Sequence, residues 1–232
     1  SYYVSGVVRK AKKTLLLRPS AFTGKTELVK KFDEPVRFTC VYDSSRLLTN
    51  IVVHAKKIVG RGGERVVKQS YDLTTGSFLA RKKCMSTTEE SLIRYIKERD
   101  LQGLAQVFSI RKVDKAAGGV KTQVLEKLYN RNLVSLLDVR ISIDQKALLF
   151  ENLLMGLKNL HSIVVPELRY QIEGVTRRFF NVQAFHFDIS PNNIFVTKPP
   201  ETDIWEAVIG DFGLACDIGA IGGTLGYRPP ET

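Results

Sequence analysis

The sequence predicts an α+β protein of two lobes with a cleft where the lobes meet. Between about residues 50 and 128, short apolar runs with strand character follow one another across short turns, a pattern typical of an antiparallel meander. After Asn132 the apolar residues take helical spacing as far as His161. Strands first and helices later, in one chain of 232 residues, favour two lobes, and clefts of this kind hold ligands.

The composition is that of a folded, basic protein. Hydrophobic residues make up 44% of the chain, enough for a core, which excludes a disordered polypeptide. The 35 Lys and Arg exceed the 24 Asp and Glu by 11, and residues 1–60 hold 12 basic and 4 acidic residues. We interpret residues 1–49 as a basic N-terminal extension for docking or regulation, although its charges could simply be solvated. Nucleic acid is the weakest partner class, because no basic and aromatic residues interleave there.

No apolar run reaches the roughly 20 residues that a membrane-spanning helix needs. The three cysteines, which are far apart, favour a reducing, intracellular compartment, cytoplasmic in the simplest case.

The individual elements can be placed in order. Strands are predicted at residues 51–59, 66–70, 78–84, 104–112 and 122–128, with a turn at residues 60–63. Before the fourth strand, Ser86 with Glu89, or Thr87 with Glu90, has the capping pattern of a helix N-terminus. The long helix that ends near His161 would bury one face. The residues of that face are Ala147, Leu148, Leu154, Leu157 and Leu160.

Two segments of the strand region have features of a phosphate site. Gly60 and Gly62 lie in a turn where backbone amides could approach phosphate oxygens, although an ordinary hairpin turn has the same pattern. Ala80 precedes Lys82 by two residues on a strand, so both side chains would point into one cavity. Ala80 leaves room for a flat ring and Lys82 offers a positive charge, whereas a surface lysine is the plain alternative.

Two segments of the second half supply oxygen ligands. Asp188 is followed five residues later by Asn193, and Asp211 opens an Asp-Phe-Gly segment after a strand-like run at residues 207–209. Two carboxylates and an amide suit a magnesium-phosphate site. A helix cap and a turn would explain each segment alone, but the order and spacing of all four elements argue against coincidence.

From about Asn50 to its end the chain resembles the protein kinase superfamily. The glycine loop, Leu-Ala-Arg-Lys at residues 79–82, His-Phe-Asp at residues 186–188 with Asn193, and Asp-Phe-Gly at residues 211–213 occur in the family's order. Residues 223–231 resemble its substrate-docking segment, and residues 126–130 its hinge, with Leu125 in the gatekeeper position.

The resemblance implies a bilobal protein-kinase-like fold. Its antiparallel β-sheet N-lobe with the hinge would span residues 50–128. Its mainly helical C-lobe, apparently truncated because the chain stops just after the docking segment, would span residues 129–232.

By position, the resemblance assigns a role to each residue. Asp188 would orient and deprotonate the acceptor hydroxyl, Lys82 would contact the α- and β-phosphates of ATP, and Asn193 and Asp211 would hold Mg2+. Further ATP contacts are expected from Gly60, Gly62, Val67, Ala80 and the hinge backbone of Glu126 and Leu128. The implied function is phosphorylation of protein Ser or Thr hydroxyls, and the alternative is a pseudokinase or scaffold that binds nucleotide without phosphotransfer.

The glutamate that pairs with Lys82 stays open among Glu89, Glu90 and Glu98. Glu89 is preferred because the apolar residues after it have the family's helical spacing. It lies only seven residues beyond the lysine, however, and Glu98 fits the usual separation better.

Several positions depart from the family's pattern. Arg65 replaces the third loop glycine, and Phe187 stands where an arginine is common beside the catalytic aspartate, so we expect activity that survives phosphatase treatment. Ser190 replaces a lysine, which makes the segment similar to the small-molecule kinases of the superfamily, whereas Thr224 in the docking segment favours protein substrates. Together the departures resemble certain effector kinases that bacterial pathogens inject into host cells.

Residues 163–185 resemble an insertion next to the catalytic loop. The segment contains Arg169, Arg177 and Arg178, which could contact a partner or could be solvated surface charges.

Overall fold

The structure, a computed structural model, describes residues 2–8, 36–42, 45, 48–62, 65–84, 86–114, 119–129, 131–172, 175–199, 201–215, 224 and 227. The chain forms two compact units. Unit 1 comprises Ser1–Lys83 and Arg111–Leu128, and unit 2 comprises Cys84–Ile110 and Tyr129–Thr232.

Unit 1 contains an antiparallel sheet. Its strands are β1 (Tyr2–Val8), β2 (Val36–Tyr42), β3 (Leu48–Gly62), β4 (Arg65–Asp72), β5 (Ser77–Lys83), β6 (Val107–Asp114) and β7 (Val120–Lys127). The first four residues of β6 belong to unit 2. The strand order is β1-β2-β3-β4-β5-β7-β6, and every pair whose register is described is antiparallel. The predicted antiparallel sheet is therefore confirmed.

The first two strands come from the predicted N-terminal extension. β2 pairs with β3 from Arg37 opposite His54 to Tyr42 opposite Leu48. The boundary predicted at residue 50 thus falls inside β3, because cross-strand hydrogen bonds continue the sheet on both sides of it. Residues 9–35 of the extension lie outside the described residues.

The register divides the side chains of the sheet between two faces. Directly opposed residues share a face, and so do residues two apart on one strand. Lys82 lies opposite Val124, which defines the Lys82 face. Arg81 lies opposite Lys68 and Leu125, which defines the other side, the Arg81 face.

A buried polar network lies on the Arg81 face. His54 Nε2 is 2.8 Å from Thr39 Oγ1 and 3.0 Å from an Arg111 guanidinium nitrogen, and His54 Nδ1 is 3.0 Å from Ser70 Oγ. Because a guanidinium only donates, Nε2 is the acceptor and the ring proton lies on Nδ1. Burial, followed by the fields of three arginines, lowers the pKa of His54 to about 3. The ring is therefore neutral at pH 7.

Unit 2 combines helices with two small sheets. Its elements are α1 (Thr87–Arg99), β8 (Arg131–Asn132), a 3-10 turn (Leu133–Leu136), α2 (Ile143–His161), β9 (Val164–Ile172), β10 (Val175–Gln183), β11 (Ile194–Thr197), β12 (Glu206–Ile209) and a 3-10 turn (Phe212–Leu214). β9 and β10 form an antiparallel hairpin, and the second sheet has the order β12-β11-β8. Among the described residues, neither helix has the length and apolarity that a membrane span requires.

The described part of unit 2 is mixed in structure rather than mainly helical as predicted. The difference arises largely at residues 163–185, the predicted insertion, which supply the β9–β10 hairpin. One small core cluster of the unit lies between the 3-10 turn before α2, α2 itself and the three-stranded sheet. Its buried members are Leu136, Leu149, Ile194, Val196 and Ala207.

Helix α1 begins as the capping pattern predicts. The Ser86 hydroxyl accepts a hydrogen bond from the Glu89 N–H at 3.0 Å, which satisfies one of the unpaired amides of the first turn. Leu92, Ile93 and Ile96 are almost completely buried. The predicted apolar face of α1 is therefore confirmed.

Helix α2 ends at His161, as predicted, but it buries a different face. Leu149, Gly156 and Leu160 are buried, whereas Leu148 and Leu154 are 38% and 50% exposed. Of the predicted face, only Leu160 is fully buried.

A close backbone contact sets the rotation of α2. Gly103 has a left-handed φ of 75°, and a Cβ on it would lie 2.5 Å from Gly156 N, so both positions need glycine. The loop at Gly103 is fixed on its other side, because the Ile209 N–H donates to the Gly103 carbonyl and the Ala105 N–H donates to the Ile209 carbonyl, each at 2.8 Å. The Gly156 side of α2 must therefore face inward.

Candidate functional site

The Lys82 face of unit 1 carries most of the residues predicted to bind nucleotide. Gly60 lies opposite Val67, and Val67 shares its face with Gln69, which lies opposite Ala80. Ala80 in turn lies opposite Glu126. The predicted residues that share this face are Gly60, Gly62, Val67, Ala80, Lys82 and Glu126.

The two loop glycines are strand residues rather than turn residues. The pairs Gly60 with Val67 and Gly62 with Arg65 continue the β3–β4 ladder to its end, and residues 63–64 lie outside the described residues. A Cβ on Gly60 would make only ordinary contact with Val67, 3.7 Å from its Cβ. The protein itself thus has no steric need for glycine here, whereas a ligand that approaches the backbone closely would create one.

Lys82 forms a buried ion pair with Glu126. The distance from Lys82 Nζ to Glu126 Oε1 is 2.6 Å, and both side chains are about 6% exposed. Strand pairing explains the contact, because Glu126 lies opposite Ala80, two residues from the lysine on the same face. An acidic residue that the sequence assigned to the hinge thus contacts the predicted phosphate-binding lysine.

The three glutamates predicted as partners of Lys82 all lie on α1, in unit 2. Glu89 is completely buried in the first turn of α1. Glu90 binds Arg94 at 2.6 Å, and Glu98 is exposed. The pairing of Lys82 with one of them stays a prediction.

The register separates Leu125 from the residues of the Lys82 face. Leu125 lies opposite Arg81 and therefore belongs to the Arg81 face, whereas Glu126 lies on the Lys82 face. The gatekeeper role expected of Leu125 stays a prediction. Beyond the strand, the Leu128 N–H donates to the Phe78 carbonyl at 3.2 Å, so this amide completes the sheet.

In unit 2, the carboxylate of Asp188 is held from two sides. Its Oδ2 accepts a hydrogen bond from Asn193 Nδ2 at 2.7 Å. Its Oδ1 accepts from both the N–H and the hydroxyl of Thr224, at 2.6 and 2.7 Å. The Thr224 hydroxyl also lies 3.3 Å from Ser190 Oγ. These charge-assisted bonds fix the orientation of the carboxylate.

His186 and Asn193 join the Asp188 segment to the Asp211 segment. The buried His186 ring lies with Nε2 2.9 Å from the Gly210 carbonyl, and its Nδ1 accepts from the Asp188 N–H at 3.3 Å. These bonds require the proton on Nε2. The Gly210 N–H donates to the Asn193 carbonyl at 2.9 Å. Because Gly210 directly precedes Asp211, this bond holds the start of the Asp211 segment next to Asn193.

The residues predicted to hold Mg2+ have suitable chemistry. Asn193 uses its Nδ2 for both side-chain bonds, to the Asp188 carboxylate and carbonyl, and none of the described side-chain bonds uses its Oδ1. An amide oxygen and the Asp211 carboxylate are hard ligands of the kind that Mg2+ binds. The described residues contain no group of three or more His, Cys, Asp and Glu placed to hold a metal, so phosphate and water would have to supply the other ligands.

Strained backbone marks both segments. Phe187 has φ of 59° and Asp211 has φ of 57°, in the left-handed region that residues other than glycine rarely adopt. Such conformations cost on the order of 1–3 kcal/mol each and concentrate at functional sites. Phe187 directly precedes Asp188, and Asp211 is itself the other predicted aspartate; Asp100 and Asn181 of the same unit also have φ in this region.

Comparison with known proteins adds a sequence similarity. Cyclin-dependent kinase-like 1 of Caenorhabditis elegans is 26% identical over 187 residues, which cover 75% of this chain and 46% of that protein. The similarity is kinase-related. The chain spans about half the length of the curated relative that it matches. No protein-family model matches the chain.

Two contacts of the site were not anticipated from the sequence. The Lys82–Glu126 pair depends on the register of β5 and β7, and only the alternation of side chains along β7 could have indicated it. The Asp188–Thr224 bonds join residues 36 positions apart, and no local pattern signals them. Of the predicted docking segment at residues 223–231, only Thr224 and Tyr227 are among the described residues.

Proposed function

We propose that the chain is a protein kinase that transfers the γ-phosphate of ATP, with Mg2+, to a Ser or Thr hydroxyl of a protein. The observation that carries the proposal is the Asp188 carboxylate, which Asn193 and Thr224 orient beside the Asp211 segment. The kinase-related sequence similarity supports the same reaction class.

The chain's own residues have distinct tasks in this proposal. Asp188 accepts the proton of the acceptor hydroxyl, and the bonds from Asn193 and Thr224 keep its oxygens oriented for that step. Lys82 places a positive charge at the ATP phosphates, and Gly60 lets its backbone approach them. Mg2+, held by Asn193 and Asp211, would neutralise charge on the phosphates.

The proposed Ser or Thr acceptor class rests on Thr224. Its N–H and hydroxyl both reach Asp188, so the docking segment is fastened to the proposed base. The segment at residues 223–231 resembles the docking segment of kinases with protein substrates. A protein hydroxyl is thus the acceptor class that the site fits best.

A direct test compares Asp188→Asn with the unchanged chain. The amide cannot take a proton, so we expect transfer to a generic basic protein to fall roughly 100- to 10,000-fold, while nucleotide binding is retained. Asp138→Asn, which makes the same change at an exposed position, should keep full activity. Analysis of the labelled residues should find phosphoserine or phosphothreonine. Unchanged transfer in Asp188→Asn would contradict the proposal, and phosphotyrosine alone would contradict the acceptor class.

The competing function is a pseudokinase or scaffold. The observations that favour it are the buried Lys82–Glu126 pair, which the lysine would have to leave to reach a phosphate, and the use of the Leu128 amide within the sheet. That function predicts nucleotide binding with no phosphotransfer under any condition.

A further inference from the structure

The Arg81 face of unit 1 contains a cavity of about 460 Å3. Its size is within the range of small-molecule sites. Among the described residues, six basic residues of unit 1 line it, Lys82 also borders it, and no Asp or Glu is part of its lining. The six are Arg37, Lys56, Lys68, Arg81, Lys83 and Lys121, and together with the space between them they are called the basic pocket.

Strand register places cations of the basic pocket on the Arg81 face, whereas Lys82, a proposed nucleotide contact on the other face, only borders the pocket. Lys68 lies opposite Arg81, and Lys83 lies opposite Gln123, two residues from Lys121. Arg37 lies opposite His54 at the other end of the pocket. These residues alternate with those of the Lys82 face.

The pocket has a strongly positive field. His54, which lines it, has its pKa lowered first by burial and then by Arg81, Arg111 and Arg37. Burial and the neighbouring Arg37 also lower the pKa of Arg81 itself. Several cations held close together repel one another, so an anion that enters the pocket relieves this repulsion.

Binding of an anion also fits the donors in the pocket. Arg81 uses one guanidinium nitrogen on the Ala55 carbonyl, at 3.1 Å, which fixes the planar group in place. A guanidinium has five N–H donors, and ammonium groups such as those of Lys68 and Lys83 add point charges around it. Phosphate and sulfate oxygens are the acceptors that such a set binds best.

We propose that the basic pocket binds a compact small molecule that carries several phosphate or sulfate groups. Six cations around one cavity match a ligand with several anionic groups better than a ligand with a single phosphate. The inference does not depend on the proposed kinase function, because the six cations are distinct from the proposed nucleotide contacts, of which only Lys82 borders the pocket.

Nucleic acid fits the pocket less well. Proteins that bind single strands combine basic grooves with aromatic side chains on which bases stack. Among the described residues, no Phe, Tyr or Trp lines this cavity.

The test measures calorimetric binding of inorganic tripolyphosphate to the full chain. One variant carries Lys68→Gln, Lys83→Gln and Lys121→Gln. The matched control carries Arg140→Gln, Lys146→Gln and Lys158→Gln, which remove the same charge from exposed positions of unit 2.

We expect one-to-one binding that weakens about tenfold or more in the pocket variant and less than twofold in the control. Higher salt should also weaken it, because screening acts on this attraction. Thermal unfolding establishes that both variants are folded. If the triple change prevents folding, Lys68→Gln alone, at an exposed position, should weaken binding about threefold.

Three results would overturn the inference. They are absence of tripolyphosphate binding to the unchanged chain, equal loss of binding in the pocket variant and the control, and unchanged binding in the pocket variant. A single-stranded oligonucleotide that binds more tightly than tripolyphosphate, and loses affinity in the same variant, would assign the pocket to nucleic acid instead.

Discussion

Replacement of Lys82 should destabilise the fold as well as the proposed chemistry. The Lys82 and Glu126 side chains are each about 6% exposed and their charged atoms lie 2.6 Å apart. Lys82→Met leaves the Glu126 carboxylate buried without that cation. Removing one partner of a buried pair costs about 3–5 kcal/mol, because the remaining charge keeps its desolvation cost.

The matched control is the next residue of the same strand. Lys83 is exposed, so Lys83→Met makes the same chemical change at a solvated position and should alter the free energy of unfolding by less than about 0.5 kcal/mol. The double variant Lys82→Met with Glu126→Gln removes both charges and should recover most of the lost stability.

The assay is thermal and urea unfolding of the four chains at pH 7. At roughly 2–4 °C per kcal/mol for a chain of this size, Lys82→Met should lower the melting temperature by about 6–20 °C. Equal stability of Lys82→Met and Lys83→Met would refute the reasoning. So would a double variant no more stable than Lys82→Met, because the two charges would then not be coupled.

Two further predictions concern His54 and Thr224. The pKa of His54 is about 3 in the folded chain and about 6.5 in the unfolded chain. Between these pH values the unfolded chain binds more protons, so the free energy of unfolding should be highest above about pH 6.5 and should fall toward pH 3. His54→Gln should reduce the slope of the unfolding free energy against pH by up to about 1.4 kcal/mol per pH unit, measured by urea unfolding between pH 4.5 and 7. An unchanged slope would count against this role of His54. Thr224→Ala removes the hydroxyl bond to Asp188 Oδ1 and should lower kcat about 10- to 100-fold. Thr224→Ser keeps the hydroxyl and should retain activity. Equal kcat values in the two variants would show that the hydroxyl has no role.

Local patterns predicted strands β3 to β7 of the unit 1 sheet and both helices, in their order along the chain. Strand alternation correctly placed Ala80 and Lys82 together on one face, because a strand repeats every two residues. The capping pattern at Ser86 correctly located the start of α1, since that bond depends only on residues three apart. Both features are determined by short stretches of chain.

Long-range features could not be read from the sequence. The buried face of α2 depends on the contact between Gly156 and Gly103, which are far apart in the chain. The phase of β7, which places Glu126 rather than Leu125 on the Lys82 face, depends on pairing with β5. A shift of one residue in strand pairing moves every side chain of the strand to the other face of the sheet. The phase of β7 therefore decides which of its side chains lie on the Lys82 face.

The measurement that tests the account most directly is transfer of labelled γ-phosphate from magnesium-ATP to a generic basic protein and to the chain itself. It compares the unchanged chain with Asp211→Ala. The account predicts label with the unchanged chain and none with the variant, because Asp211 is one of the two proposed magnesium ligands. Thermal shifts with nucleotide would establish binding in the same samples. Binding by the unchanged chain without transfer, or equal label in both chains, would contradict it.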